Sequence, residues 1–136
     1  MASRSKKRAT GEGPPPPLHE LESEVMEALW TGGEASVRSV MDTLNARADK
    51  ERAYTTYMTI MARLHKKGLL RRRRAGKTDY YTPVYERDEY MALRAKAEVE
   101  GLVSQYGDVA LSHFAEQMAK LDPARRRALQ RLARKS

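Results

Sequence analysis

Three threonines and an arginine, Thr55, Thr56, Thr59 and Arg63, fall at spacings that gather side chains on one side of a helix. Hydroxyls bond phosphate oxygens or base edges, and threonine methyls pack against the methyl of thymine. A guanidinium forks onto guanine or clamps a phosphate. Behind these residues runs a string of cations. From Arg63 to Lys77 the sequence holds Arg63, Lys66, Lys67, Arg71, Arg72, Arg73, Arg74 and Lys77 and no acid, so this segment alone equals the net charge of +8 carried by all 136 residues. So concentrated a positive field attracts phosphates. Single Lys or Arg residues on an edge strand deter aggregation, but eight mutually repelling cations call for an anion.

Other chemistries lack their parts. Without Cys there is no disulfide, thiol nucleophile or thiolate metal site. His19, His65 and His113 are scattered; His113 and Glu116 share a helix face at i, i+3, but two ligands do not close a metal site. Neither an enzyme nor a cofactor or metal site is expected. A general nucleoid or RNA-binding protein is the alternative that the charge allows. RNA modules, however, present aromatic platforms on a sheet, and strand alternation leaves at most one of Tyr80 and Tyr81 on an exposed face. No apolar run approaches the ~20 residues of a membrane span. The expected location is the cytoplasm, in association with the nucleoid.

The elements that must position these residues follow from periodicity and turn chemistry. Residues 1 to 17, with Arg4, Lys6, Lys7 and Arg8 ahead of four prolines, read as a disordered basic tail ending in a polyproline spacer. Leu18, Leu21, Val25 and Leu29 then predict a helix, stopped by Gly32 and Gly33, with Glu20, Glu22, Glu24 and Glu27 largely off its apolar stripe. Ser36 can cap a second helix that buries Val37, Val40, Met41 and Leu44. A third helix covers about Tyr54 to Lys67, with Ala53 a poor cap and Gly68 its stop. At about 100° per residue, Thr55, Thr56, Thr59, Arg63, Lys66 and Lys67 occupy one arc of roughly 120°, with Tyr57, Ile60, Met61 and Leu64 opposite. The outward arc is the size of a helix face that fits the major groove.

After Gly68, LLRRRR, AGKT and DYYTPV predict a β-hairpin. Alternation sends Arg72 and Arg74 to one face and Arg71 and Arg73 to the other, with Lys77 at the tip. The expected fold is mainly α with a small β-hairpin wing: a winged helix-turn-helix over residues 18–84, followed by a helical dimerisation domain over 85–136. The second part shows a long helix with Tyr90, Leu93, Ala97, Gly101 and Val103, then one with Val109, Leu111, Phe114, Met118 and Leu121. Asp122-Pro123 opens a last helix carrying Leu129 and Leu132. These helices hold too few apolar residues to close a core alone, so a second copy is expected to complete it through Leu93, Val103, Leu111, Phe114 and Leu129.

The run AYTTYMTIMARLHKKGLL, followed by RRRRAGKTDYYTPV and preceded by LESEVMEALW and ASVRSVMDTL, resembles the penicillinase repressor family of bacterial winged-helix regulators (BlaI, MecI and CopY) over about Leu18 to Leu132. The resemblance implies transcriptional repression by a homodimer on a palindromic operator in double-stranded DNA, with TACA/TGTA-type half-sites. It places Thr55, Thr56, Thr59 and Arg63 on the recognition helix. With the flanking cations, the expected DNA-binding set also includes Lys66, Lys67, Arg72, Arg74 and Lys77. The family further implies relief by an inducing signal, through a membrane sensor metallopeptidase and proteolysis at His113-Phe114. Three departures stand out. Tyr57 replaces the usual Val or Ile, and is expected to repack the core without touching bases. The lack of Cys excludes copper sensing of the CopY type. His113 precedes Phe114 where well-known members carry Asn.

Overall fold

The computed structural model describes residues 13–135. Its elements in order are α1 (Glu20–Gly32), β1 (Ala35–Ser36), α2 (Val37–Asn45), α3 (Tyr54–Lys66), β2 (Leu70–Ala75), β3 (Thr78–Pro83), α4 (Arg87–Tyr106), α5 (Asp108–Ala119) and α6 (Pro123–Lys135). The chain forms two compact units that divide within α4, between Ala95 and Lys96.

The first turn of α1 uses its own acid. Glu22 Oε1 accepts the His19 amide at 2.9 Å, one of the donors that a helix start leaves without an intrahelical partner. Its carboxylate is fully buried and receives Lys67 Nζ at 2.8 Å on Oε2 and 3.0 Å on Oε1. Glu22 therefore does not lie off the buried stripe with the other acids of α1. Burial alone would push its carboxyl pKa up; the His19 amide and the Lys67 ammonium more than offset this and hold it below the ordinary value.

At the start of α2 the Ser36 hydroxyl accepts the Ser39 amide at 3.2 Å, as its position in the sequence predicts. The polar connection from α2 to α3 is tied by Asn45. Its side chain donates to the Arg52 carbonyl at 2.9 Å and accepts the Arg52 amide at 3.1 Å. The same Oδ1 accepts the Tyr57 hydroxyl at 2.8 Å. Tyr57 is fully buried among Val25, Met26, Met61 and Leu64, so it repacks the core as expected and orients α3 through its hydroxyl. Tyr57→Phe is expected to cost about 1 kcal/mol in urea unfolding, the worth of one hydrogen bond, and Tyr57→Ala about 3 to 5 kcal/mol.

Gly68 ends α3. At φ 83° it adopts the left-handed turn that lets its amide reach the His65 carbonyl and the Leu69 amide reach that of Leu64, both at 3.0 Å. The chain then enters a sheet of order β1-β3-β2 in which both pairings are antiparallel. The wing is thus three-stranded where a hairpin was expected. β1, pairing Ala35 with Tyr81 and Ser36 with Tyr80, has two residues and leaves no periodic trace. Gly76 and Lys77 form the two-residue hairpin turn, and Gly76 at φ 64° supplies the positive sign that its first central position requires.

Two expectations are corrected at the edges of this unit. The end of the tail is not a free spacer, because Pro15 is buried, the Tyr90 hydroxyl donates to the Pro16 carbonyl at 2.7 Å and Arg94 donates to that of Pro15 at 3.0 Å. Arg4, Lys6, Lys7 and Arg8 lie outside the described residues. The boundary expected after Val84 falls inside the core. Tyr85 and Tyr90 are buried, Trp30 Nε1 donates to the Tyr85 carbonyl at 2.8 Å, and the Tyr90 ring lies 5.6 Å from that of Trp30. Arg87 binds Glu27 at 2.6 Å. The first turns of α4 thus close the core over α1. Leu93 is half-buried and packs against this core.

The second unit comprises the rest of α4 with α5 and α6. None of its described residues is buried, and Val99, Leu102, Tyr106, Val109 and Leu111 are large exposed hydrophobics, Val109 at 62%.

Candidate nucleic-acid interface

The outward face of α3 carries Thr55, Thr59, Arg63 and Lys66, all exposed, together with Met58 and Ala62. Thr56 lies at the edge of this face and is half-buried. Met58 was missed in the sequence, although it falls outside the apolar arc of Tyr57, Ile60, Met61 and Leu64 and that offset is legible. The Ala53 cap offers no side chain to the amides that open α3, and the Thr56 amide turns back to the Ala53 carbonyl at 3.1 Å. Arg38 of α2 sets its guanidinium 5.5 Å from the centre of the Tyr54 ring and adds an exposed cation at that end. No sequence signal marked Arg38, because its neighbourhood depends on how α2 crosses α3.

Strand register settles the direction of the wing arginines. Arg72 stands opposite Tyr81 and Arg74 opposite Asp79, while Arg73 stands opposite Tyr80. Opposed residues share a face, and Tyr81 is buried with its ring edge-on to His65 of α3 at 6.5 Å. Arg72 and Arg74 therefore leave the wing on the face turned to α3. Arg71 and Arg73 leave on the other.

The arginines differ in what they already hold. Arg73 grips Glu34 with both sides of its fork, Nη2 to Oε1 at 2.8 Å and Nε to Oε2 at 3.1 Å, and its guanidinium lies 5.0 Å from the Tyr80 ring centre. Thr82 donates to the same carboxylate at 3.2 Å. The Arg73 hydrogen bond is the main cause that holds the Glu34 carboxyl below its ordinary pKa. Arg74 has a looser pairing, 3.6 Å from Asp79. Among the described residues, Arg63, Arg71, Arg72 and Lys77 have no side-chain hydrogen bond or ion pair with the protein.

Of the expected DNA-binding set, the structure gathers Thr55, Thr59, Arg63 and Lys66 on one helix face, with Thr56 at its margin. Arg72 and Arg74 stand on the α3 side of the wing and Lys77 in its turn. Lys67 is the exception. Its ammonium turns under α3 to the buried Glu22, because the last turn carries position 67 toward α1 and an unpaired carboxylate there would be costly. In α5, His113 is exposed and lies 3.4 Å from Glu116, with Phe114 half-buried beside it. Among the described residues no group of three or more His, Asp or Glu side chains could hold a metal ion, and no helix is long and apolar enough to cross a membrane.

Comparison with known proteins matches residues 18–135 to the penicillinase repressor family. The chain is 42% identical over 118 residues to the transcriptional regulator BlaI of Mycobacterium tuberculosis, from strains CDC 1551 / Oshkosh and ATCC 25618 / H37Rv alike, covering 85% of this chain and 84% of the relative. Among solved structures, the monomeric form of Bacillus licheniformis BlaI in complex with the blaP half-operator is similar, with 28% identity and a TM-score of 0.47, over 56% of this chain and 90% of that one. The DNA-binding domain of the repressor BlaI matches with 27% identity and a TM-score of 0.49, over 57% and 93%.

Proposed function

Because this chain belongs to the penicillinase repressor family and is a BlaI-like transcriptional repressor with a DNA-binding domain, we propose that it acts as a homodimer on a palindromic operator. Its relatives are transcriptional regulators and not enzymes. The observation that carries the reading is the pairing of an exposed hydroxyl and cation face on α3 with partner-free Arg72 and Lys77 on the neighbouring wing. α3 enters the major groove, where Thr55, Thr59 and Arg63 meet base edges. Arg72, Arg74, Lys77 and Lys66 meet phosphates, which set affinity and orientation. The repressor works in the cytoplasm, on the nucleoid.

Residues 96–136 serve as the dimerisation domain. Their support is the absence of any buried residue among those described in this unit, with Val109 and Leu111 exposed. A second copy would cover Val103, Leu111, Phe114 and Leu129. Relief follows an inducing signal received by a membrane sensor metallopeptidase and ends in cleavage at His113-Phe114.

The test compares operator, scrambled duplex and RNA hairpin over a range of salt. Arg63→Ala or Thr59→Ala is expected to cost about 1 to 3 kcal/mol on the operator and much less on the scrambled duplex. The double variant Arg72→Ala, Arg74→Ala should weaken both duplexes similarly. Its salt dependence should flatten by about one unit of slope for each phosphate that a subunit no longer neutralises. If the helix variants weakened both duplexes equally while the wing variant abolished discrimination, the wing would read sequence and the helix would only position it. Equal binding of hairpin and operator would instead favour a general nucleic-acid binder.

A further inference from the structure

α6 carries Arg125, Arg126, Arg127, Arg131, Arg134 and Lys135 and no acid across Pro123–Lys135. One of these has a structural duty: Arg126 donates to the carbonyls of Leu121 at 2.9 Å and Met118 at 3.3 Å, satisfying the open end of α5. The other five are exposed, and among the described residues none of their side chains has a hydrogen bond or ion pair.

Helical spacing sorts these five. Arg127, Arg131 and Arg134 stand at i, i+4 and i+7 and form one stripe, with Lys135 beside it. Ala128, Leu129, Leu132 and Ala133 lie to the other side, so a partner that covers the apolar arc leaves the stripe in water. The placement is unfavourable for the helix by itself. Arg134 and Lys135 suit the negative end of the macrodipole, but Arg125 to Arg127 crowd its positive end, where the Asp122 carboxylate, which accepts the Arg125 amide at 3.0 Å, stands against three cations. Like charges four residues apart, Arg127 with Arg131 and Arg131 with Lys135, repel as well. An external polyanion removes every one of these conflicts.

We propose that the Arg127, Arg131 and Arg134 stripe is a second phosphate-binding surface, which holds duplex DNA by charge without reading its sequence. Charge complementarity selects the class of partner, and the choice of DNA over other polyanions rests on the proposed function above. Arginines four residues apart are separated by about 6 Å along the helix axis, a separation from which flexible guanidiniums reach neighbouring phosphates of one strand.

The experiment uses the full chain and titrates salt on two probes, a scrambled duplex and an operator with long flanks. In the variant Arg127→Gln, Arg131→Gln, Arg134→Gln, glutamine preserves the helix and removes the charge. The expected result is a salt slope shallower by about one unit for each phosphate that a subunit releases, equally on both probes, with the preference for operator intact. Lysine at the same three positions should restore the slope. Arg127→Gln alone should show a proportionate decrease, which keeps the test open if the triple variant unfolds. An unchanged slope in a folded Gln variant overturns the proposal, while loss of discrimination in Arg63→Ala would still support the α3 reading. Binding of wild type, but not of the Gln variant, to phosphatidylserine vesicles with DNA slopes unchanged also overturns it and makes the stripe a membrane-binding surface. Failure of wild type to bind either duplex would sink the reading of the chain as a DNA-binding protein as well.

Discussion

Lys67→Ala is expected to destabilise the folded chain by about 3 kcal/mol, because it leaves Glu22 as a buried carboxylate with no cation beside it. The figure sits at the low end for a broken buried pair, since the Lys67 side chain keeps 25% of its surface in water. Urea unfolding followed through Trp30, the sole tryptophan, reads this directly. Glu22→Gln with Lys67→Met should recover part of the stability, because neither member is then charged and the His19 amide keeps an acceptor.

The pH dependence has a definite sign. The folded carboxyl of Glu22 titrates below its ordinary value of 4.5, so its contribution is complete above that value and is lost as pH falls through the lowered folded pKa. This part of the acid sensitivity should vanish in Glu22→Gln. Measured under conditions where Lys67→Ala remains folded, its DNA binding should keep the wild-type salt slope. An unchanged stability with a flattened slope would make Lys67 a phosphate ligand and the ion pair incidental.

Two truncations should separate folding from avidity. A chain ended after Ala95 retains Tyr85, Tyr90 and Leu93 and is expected to fold, yet, on the proposed homodimer, to bind operator roughly 10²- to 10⁴-fold more weakly, because the second half-site would no longer be held by linkage. A chain ended after Val84 loses the buried rings of Tyr85 and Tyr90, the acceptor of Trp30 and the Arg87 pairing with Glu27. Each large buried ring is worth about 3 to 5 kcal/mol, against a total stability of about 5 to 15 for a domain, so this shorter chain should be largely unfolded. Circular dichroism and sedimentation settle folding and assembly, and anisotropy on a whole operator settles affinity. Equal operator affinity of the Ala95 truncation and the full chain would remove the case for dimerisation by residues 96–136. Equal stability of the two truncations would show that α4 is not part of the winged-helix core.

Much of the fold was legible in the sequence, and so was the composition of the candidate interface. The buried arc of α3, Tyr57, Ile60, Met61 and Leu64, could be read because helical periodicity relates residues within two or three turns. The Ser36 cap, the stop at Gly68 and the hairpin turn at Gly76 were readable for the same reason, since each is an arrangement between near neighbours. The density of cations from Arg63 to Lys77 and the hydroxyls ahead of them needed no structure at all.

What only the tertiary structure decided is which of those cations remain available. Lys67 and Glu22 are 45 residues apart and Arg73 and Glu34 are 39, and nothing in either local pattern announces the pairing. The same holds for β1, whose two residues have meaning only beside β3, and for the start of α4, whose tyrosines belong to the core because Trp30 and the Pro15-Pro16 segment come to meet them. Periodicity and turn chemistry act through the backbone over a few residues. Pairing of charges and closure of a core act through space, between positions that chain order leaves far apart.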